Sequence, residues 1–415
     1  MDLTQLDDLQ LIEEFEQILK EASVYSKPMA LLTNLAGISY NNLSKALDKY
    51  FPGKGDQIFN KLLMGQGKIT SAEHGYRLIE LAVMVKMDKE TLQFFTANTL
   101  NVLDWEKELP NNSPFKRAFA EFLKEYGHRG IYEGDISNPR WSEDPSYLLN
   151  YIQSILGKTD FKEMKSVQLE NSQKAWKEIM SKIPYYNRGI IKWLVKKAVK
   201  SLERREMAKS QLVRIAKPGR LIGLEIGRRF VQKGLLDNEN DTFHCSWSEA
   251  ISILRGDWDG SGLKATINYR KDKMEKDRKL DSPDTIIDGV PQENTALETE
   301  ISGDFLKGLG VAMGRSEGLV KVISHPNEGG NLKFGEILVA PTTDPAWTPL
   351  FLKASAIVME TGGFLSQSAI VSREYGIPAV VNVAGVMKKL KNGDPIIVDG
   401  DEGRVYLLSG KPSKT

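Results

Sequence analysis

The periodicity of this chain changes once, and that change sets its architecture. Up to about residue 280, apolar residues recur at helical spacing, as in Leu11, Phe15, Ile18 and Leu19 with Glu13, Glu14 and Lys20 between them. After Gly308, short Val/Ile runs alternate with Gly and Pro punctuation. The expected fold is therefore α+β and multidomain: a mainly helical part over 1–280, a polar linker over 281–308 and an α/β domain over 309–412. In the helical part the pattern predicts helices at Asn41–Tyr50, Ser71–Met87, Phe115–Tyr126, Pro145–Leu156, Gln168–Lys182, Ser246–Leu254 and Lys264–Lys279, with a short strand at Thr242–Cys245. Tyr185–Lys233 reads as two long helices broken at Lys217-Pro218-Gly219. In the last domain strands are expected at Gly318–Ser324, Glu336–Ala340, Ala356–Met359, Ala379–Val383, Pro395–Asp399 and Arg404–Leu408, with helices near Pro345–Leu352 and Ser366–Tyr375.

Composition enters as exclusion. No apolar run reaches the roughly 18–20 residues of a membrane span, and the acidic amphipathic start MDLTQLDDLQLIEEFEQ is no signal peptide. A single cysteine, Cys245, excludes an internal disulfide framework and fits a reducing, cytoplasmic setting. Four histidines (His74, His128, His244, His325) show no metal-ligand spacing, so no metal site is expected. The net charge of +1 is unevenly spread: Arg188–Lys233 holds fourteen basic residues against three acidic, an excess of eleven. Such a stretch suits phosphates more than bulk nucleic acid, and most of its charges belong to solvated helix faces. Cys245, Met207, Tyr185 and Tyr186 read as packing residues, and Asp399 and Asp401 as turn residues.

The densest chemistry lies in AIVMETGGFLSQSAIVSREYGIPAVV, Ala356–Val381. A buried strand feeds a Gly362-Gly363 turn, a helix opens near Ser366, and a second buried strand follows Gly376-Ile377-Pro378. Glycines permit close backbone approach, the helix start offers unpaired N–H groups and a positive dipole end, and Ser366 and Ser368 add hydroxyls, Ser366 as a candidate N-cap. Gly362, Gly363, Ser366 and Ser368 are thus candidate phosphate ligands.

This stretch resembles the mobile phosphohistidine domain of the PEP-utilising enzymes, whose motif runs T-x-GG-x-x-S-H-x-A-I-V-x-R-E-x-G-I-P-A-V-V. Gly362, Gly363, Ser366, Ala369, Ile370, Val371, Arg373, Glu374, Gly376, Ile377, Pro378, Ala379 and Val380 match it. The resemblance implies a swivelling domain with a carrier residue at 367. The family has histidine there; this chain has Gln367. A neutral imidazole nitrogen can attack phosphorus, whereas an amide nitrogen only donates hydrogen bonds. As it stands, position 367 therefore carries no phosphoryl group. Two readings stay open: an engineered, inactive replacement in a working enzyme, or a natural homologue that binds a ligand or regulates a partner.

The loop Gly127–Pro145 resembles the GHRG…E-x-D…PRW-x-EDP run of rifampicin phosphotransferases and related PEP-synthase-like proteins. That resemblance implies a helical acceptor domain and makes His128, Arg129, Glu133, Asp135 and Arg140 candidate substrate-binding residues. Leu202–Arg214 resembles the same family's R-E-x-x-K helix, which makes Arg205 and Lys209 candidate catalytic residues; their spacing of four puts them on one helical face, suited to neutralising a transferring phosphoryl group. Below about residue 100 only the helical character agrees. No ATP-grasp pattern is visible, so the resemblance implies ATP and Mg2+ acting through a separate ATP-grasp subunit, a small hydroxylated organic acceptor as the other partner, and neither nucleic acid nor membrane.

Overall fold

A computed structural model of the chain describes residues 2–65, 70–96, 102–156, 161–280, 286–291 and 305–408. It divides into two compact units, one of residues 1–29, 133–139 and 209–295, the other of residues 30–132, 140–208 and 296–415. Of the expected linker 281–308, only 286–291 and 305–308 are among the described residues.

The helices follow local rules. The helix Pro114–Tyr126 starts on Ser113, whose side chain accepts from Lys116 N, with Pro114 in the first turn. It buries Phe115, Phe119, Phe122 and Tyr126, a stripe at spacing three and four. The other helices up to residue 232 are α1 (Asp8–Asp48), α2 (Gly55–Leu63), α3 (Thr70–Val85), α4 (Lys89–Thr96), α5 (Trp105–Glu108), α7 (Ser146–Ile155), α8 (Phe161–Lys182) and α9 (Tyr185–Gln232); the helix 114–126 is α6 and packs on α3.

In the first unit, Leu11 and Ile12 of α1 pack with Ile222, Ile226 and Phe230 of α9 and with α10 (Trp247–Arg255) and α11 (Leu263–Asp277). A two-residue hairpin, β1 (Ile286–Ile287) with β2 (Val290–Pro291), turns on Asp288 and Gly289, both at positive φ.

The sheet of the second unit runs β3-β10-β9-β5-β6-β7-β8-β4, from strands Phe305–Lys307 (β3), Leu309–Ala312 (β4), Arg315–Val322 (β5), Ile337–Ala340 (β6), Ala356–Met359 (β7), Ala379–Val381 (β8), Pro395–Asp399 (β9) and Arg404–Leu407 (β10). Pairing is parallel from β5 through β8 and antiparallel elsewhere. β6, β7 and β8 are buried throughout, which is why they read as unbroken apolar runs. Alternate residues serve two cores: Leu338, Ile357, Met359 and Val381 join the core shared with the helices, and Ile337, Val339, Val358 and Val380 join the core under β9, β10 and α14 (Val386–Lys389). The preceding short helix is α12 (Thr348–Phe351), and α13 is Gln367–Tyr375.

The α+β architecture stands, with four local corrections. The segment expected as a strand at Thr242–Cys245 is a 3₁₀ turn, Glu239–His244, because the Asn238 side chain caps its start and Ser246 opens α10 directly after it. The expected break at Lys217–Gly219 is absent: α9 continues through Pro218. Proline costs a helix interior about 3 kcal/mol, and here buried Val213 before it and Ile222 and Ile226 after it hold the helix together. Tyr185, Tyr186 and Met207, expected to pack, are 81%, 69% and 52% exposed. β3 and β4 were not anticipated. Among the described residues no helix is long and apolar enough to cross a membrane.

Candidate functional site

The site grows out of the strand β7, the turn 360–366 and the helix α13, all in the second unit. β7 is buried throughout. The chain leaves it with Glu360 N and Thr361 N donating to Ala340 O and Pro341 O, both at 3.0 Å. Gly362 then adopts φ 146°, and a Cβ there would lie 3.2 Å from Val381 Cβ and 3.3 Å from Ser366 Oγ, so the turn admits only glycine. Ser366 is the N-cap: its Oγ accepts from Ala369 N at 3.3 Å and lies 3.0 Å from Ser368 Oγ. Gly376, at φ 69°, ends the helix, with Ile377 N reaching back to Ser372 O. The candidate residues Gly362, Gly363, Ser366, Gln367 and Ser368 thus share one turn at one helix end. Gln367 is the first helical residue, 9% exposed, and its amide nitrogen is buried with no hydrogen-bond partner among the described residues.

Two guanidinium groups fasten the turn. Arg373, from α13 itself, donates to Phe364 O at 2.9 Å and to Asn60 Oδ1 at 2.8 Å. Arg205, from α9, donates to Leu365 O at 2.7 Å and lies 3.9 Å from Glu206. Burial draws Arg373 down to about 10; Glu374 opposes that shift and the neighbouring charge of Arg205 adds to it. Both groups are cations at neutral pH, and they add to the positive end of the α13 dipole. The arrangement is suited to an anion at the side chain of residue 367.

The helices complete the surroundings. The Tyr40 ring stacks on Phe364 at 5.5 Å and meets Phe59 edge-on at 4.8 Å. Burial, then the Asp56 carboxylate, raise its phenol far above the usual range, so it stays neutral. Around α13, Tyr76 Oη donates to Glu374 O at 2.9 Å, Tyr375 Oη to Ala72 O at 2.8 Å, and the Gln168 amide to Glu374 O. Gly75 makes room for this contact: a Cβ on it would lie 2.0 Å from Tyr375 Oη. Tyr147 Oη and His74 Nε2 bond the carbonyls of Ala346 and Pro345.

The remaining candidates divide between the two units. His128, Arg129 and Arg140 are buried in the second unit, at 5%, 2% and 0% exposure. Their loop is closed by backbone bonds, Trp141 N to Arg129 O at 2.7 Å and Ser142 N to Gly127 O at 3.0 Å. Glu133, Asp135 and Lys209 belong to the first unit; Glu133 is buried, Asp135 exposed and Lys209 half-buried. Sequence reasoning missed Arg373 as a fastener, although it stood inside the motif, one and a half turns after position 367. It also missed Asn60 and Tyr40, which lie where no motif had been recognised. Asp399 is a turn residue as expected, accepting from Asp401 N and Glu402 N; Asp401 also pairs with Lys61 at 2.9 Å.

Known proteins bear on both parts. A family model described as the rifampicin phosphotransferase fourth domain matches residues 28–206, and one described as the PEP-utilising enzyme mobile domain matches 332–403. The family likeness thus begins well before residue 100. The chain is 28% identical to the prodigiosin synthesizing transferase PigC of Serratia marcescens, over 90% of this chain and 43% of that one. It is 27% identical to a rifampicin phosphotransferase of Streptomyces sviceus, over 84% and 41%, and 28% identical to that of Bacillus cereus, over 97% and 47%. It therefore spans less than half the length of these relatives. With the glycine turn, the serine-capped helix and the arginine-fastened carbonyls in place, the chain belongs to the PEP-utilising enzyme family, with the helical and mobile domains of the rifampicin phosphotransferase type.

Proposed function

We propose that this chain is the acceptor-binding and phosphocarrier part of an ATP-dependent phosphotransferase of the dikinase type. A separate ATP-grasp module uses ATP and Mg2+ to place a phosphoryl group on the residue at 367. A hydroxyl of a small organic acceptor then takes that group. Histidine at 367 would attack phosphorus through a ring nitrogen, and the P–N bond would break as the acceptor oxygen attacks. Arg205 would neutralise charge on the equatorial oxygens as it builds, and Lys209, the other basic residue of the R-E-x-x-K resemblance, would assist it. Gln367 has no nucleophilic nitrogen, so the chain with Gln367 holds the geometry of transfer without the capacity for it.

The observation that carries this reading is the bond from Arg205 Nη1 to Leu365 O. It brings a cation from α9 to within two residues of the carrier position. The test is to make Gln367→His, add the ATP-grasp partner with ATP and Mg2+, and look by mass spectrometry for a phosphoryl adduct on residue 367.

One observation favours a second reading, a natural homologue that binds rather than transfers. The Gln367 amide is buried with an unused donor, at a helix N-terminus, as in a site that holds an anion without reacting with it. On that reading Gln367→His stays unphosphorylated while the unaltered chain binds inorganic phosphate or a phosphorylated ligand. A cytoplasmic setting belongs to the proposal and rests on the single, unpaired cysteine.

A further inference from the structure

We infer that the first unit carries a second small-molecule site, apart from the carrier turn, which takes a planar aromatic ligand bearing a hydrogen-bonding substituent. The site is a cavity of about 300 Å³ between α1, α9, the loop 135–137 and the start of α10. That is the lower end of the usual range for ligand pockets, enough for a two-ring molecule.

Its walls are aromatic. Phe15 and Trp247 stand with ring centroids 4.1 Å apart, and Phe243 faces them from the 3₁₀ turn. Two glycines of α9 form the floor. Gly223 is required by the wall, because a Cβ there would strike Phe243 Cε1 at 2.8 Å. No neighbour among the described residues forces glycine at 219: a Cβ there would meet only Phe15 and Ile18, at an ordinary 3.7 Å. A glycine inside a long helix costs about 1 kcal/mol relative to alanine, so open floor is kept here at the expense of helix stability.

The rim is built as firmly as the walls. Arg220, 3% exposed, donates to Ile136 O at 2.9 Å and to Ser137 O at 2.8 Å, and its guanidinium lies 5.2 Å over the Phe243 ring. One buried cation thus fixes both the loop that bears Asp135 and the aromatic wall opposite. Asp135, whose carboxylate accepts from Ser137 N at 2.8 Å, lines the cavity together with Ser246 and Arg278, so the polar end offers both acceptors and donors to a ligand hydroxyl or N–H. Flat aromatic walls with one polar end favour a ring over a flexible chain, since a ring loses little conformational freedom on binding.

The site is built from residues of the first unit alone. The inference therefore stands whether or not residue 367 carries a phosphoryl group.

The test is a calorimetric and ligand-observed NMR titration of the full chain with 2-naphthol, indole and quinoline, against cyclohexanol as the non-planar control. Gly219→Leu is the blocking variant, since leucine improves helix propensity while filling the floor; circular dichroism checks that it folds. We expect at least one aromatic to bind with a submillimolar Kd, cyclohexanol at least tenfold more weakly, and Gly219→Leu to weaken the aromatic at least tenfold. No binding by any aromatic at 1 mM, equal binding of cyclohexanol, or binding that Gly219→Leu leaves unchanged would each overturn the inference.

Discussion

Arg205 Nη1 stands 2.7 Å from the carbonyl oxygen of Leu365, two residues before Gln367. Arg373 holds the adjacent carbonyl, that of Phe364, at 2.9 Å. Successive carbonyls of one turn are thus taken by guanidinium groups from two different helices. On the proposed function, a turn fixed in this way is preorganised for developing negative charge.

In a Gln367→His background, Arg205→Ala is therefore expected to leave phosphorylation by the ATP-grasp partner possible. Transfer to the acceptor should slow by about 10²–10³-fold, the usual cost of losing one preorganised donor. Single-turnover chase of the phosphorylated protein with acceptor measures it. Equal rates for the two proteins would remove Arg205 from the transfer step.

The close approach of Gly75 to Tyr375 predicts a specific coupling. Gly75→Ala should destabilise by about 1–3 kcal/mol through overpacking, because the new methyl meets Tyr375 Oη. Tyr375→Phe removes that oxygen, so the double variant should recover most of the loss. Denaturant unfolding of the four proteins gives the coupling energy; simple additivity would contradict the contact.

The bidentate pair between Arg270 and Glu249, at 2.7 and 2.8 Å, predicts an acid dependence. The Arg270 bonds first, and then those from Ser246, hold the Glu249 carboxyl at about 2, below its ordinary 4.5. A depressed folded-state pKa stabilises above the unfolded value and loses that effect as pH falls through the folded one. The Tm advantage of the unaltered chain over Glu249→Gln should thus be full above about pH 5 and shrink between about 4.5 and 2. An advantage constant from pH 6 to 2.5 would contradict the pairing.

Cys245 should be a slow thiol. Burial, and after it the Glu249 carboxylate, push it up to about 12, so the thiolate is scarce at pH 8. Alkylation by iodoacetamide at pH 8 should run at least tenfold slower in the native chain than in the denatured one. Comparable rates would place the thiol in a more exposed, polar setting.

Much of this was legible in the residues, and the rest failed for identifiable reasons. β7 and β8 were readable because strands buried on both faces are unbroken apolar runs bounded by glycine and proline. The serine cap and glycine turn were readable because each needs one residue type at one position. β3 and β4 were not: three or four residues with a glycine between carry no period. The continuity of α9 through Pro218 depends on packing by Val213, Ile222 and Ile226, which no local pattern encodes. Arg129 and Arg140 became candidates through the resemblance of their loop to the rifampicin phosphotransferase motif, which carries no information on their burial; both are buried. Asn60 and Tyr40 reach the carrier turn from more than 300 residues away in sequence, a relation that only the fold creates.

The central claim is that position 367 is the phosphoryl-carrying position of a transferase site, silent here because it is glutamine. The most direct measurement is 31P NMR of the Gln367→His chain after incubation with its ATP-grasp partner, ATP and Mg2+, with the unaltered chain in parallel. The expected result is an acid-labile P–N signal in Gln367→His and none in the unaltered chain. No P–N signal in Gln367→His while the partner consumes ATP, or an equal signal in both proteins, would contradict it.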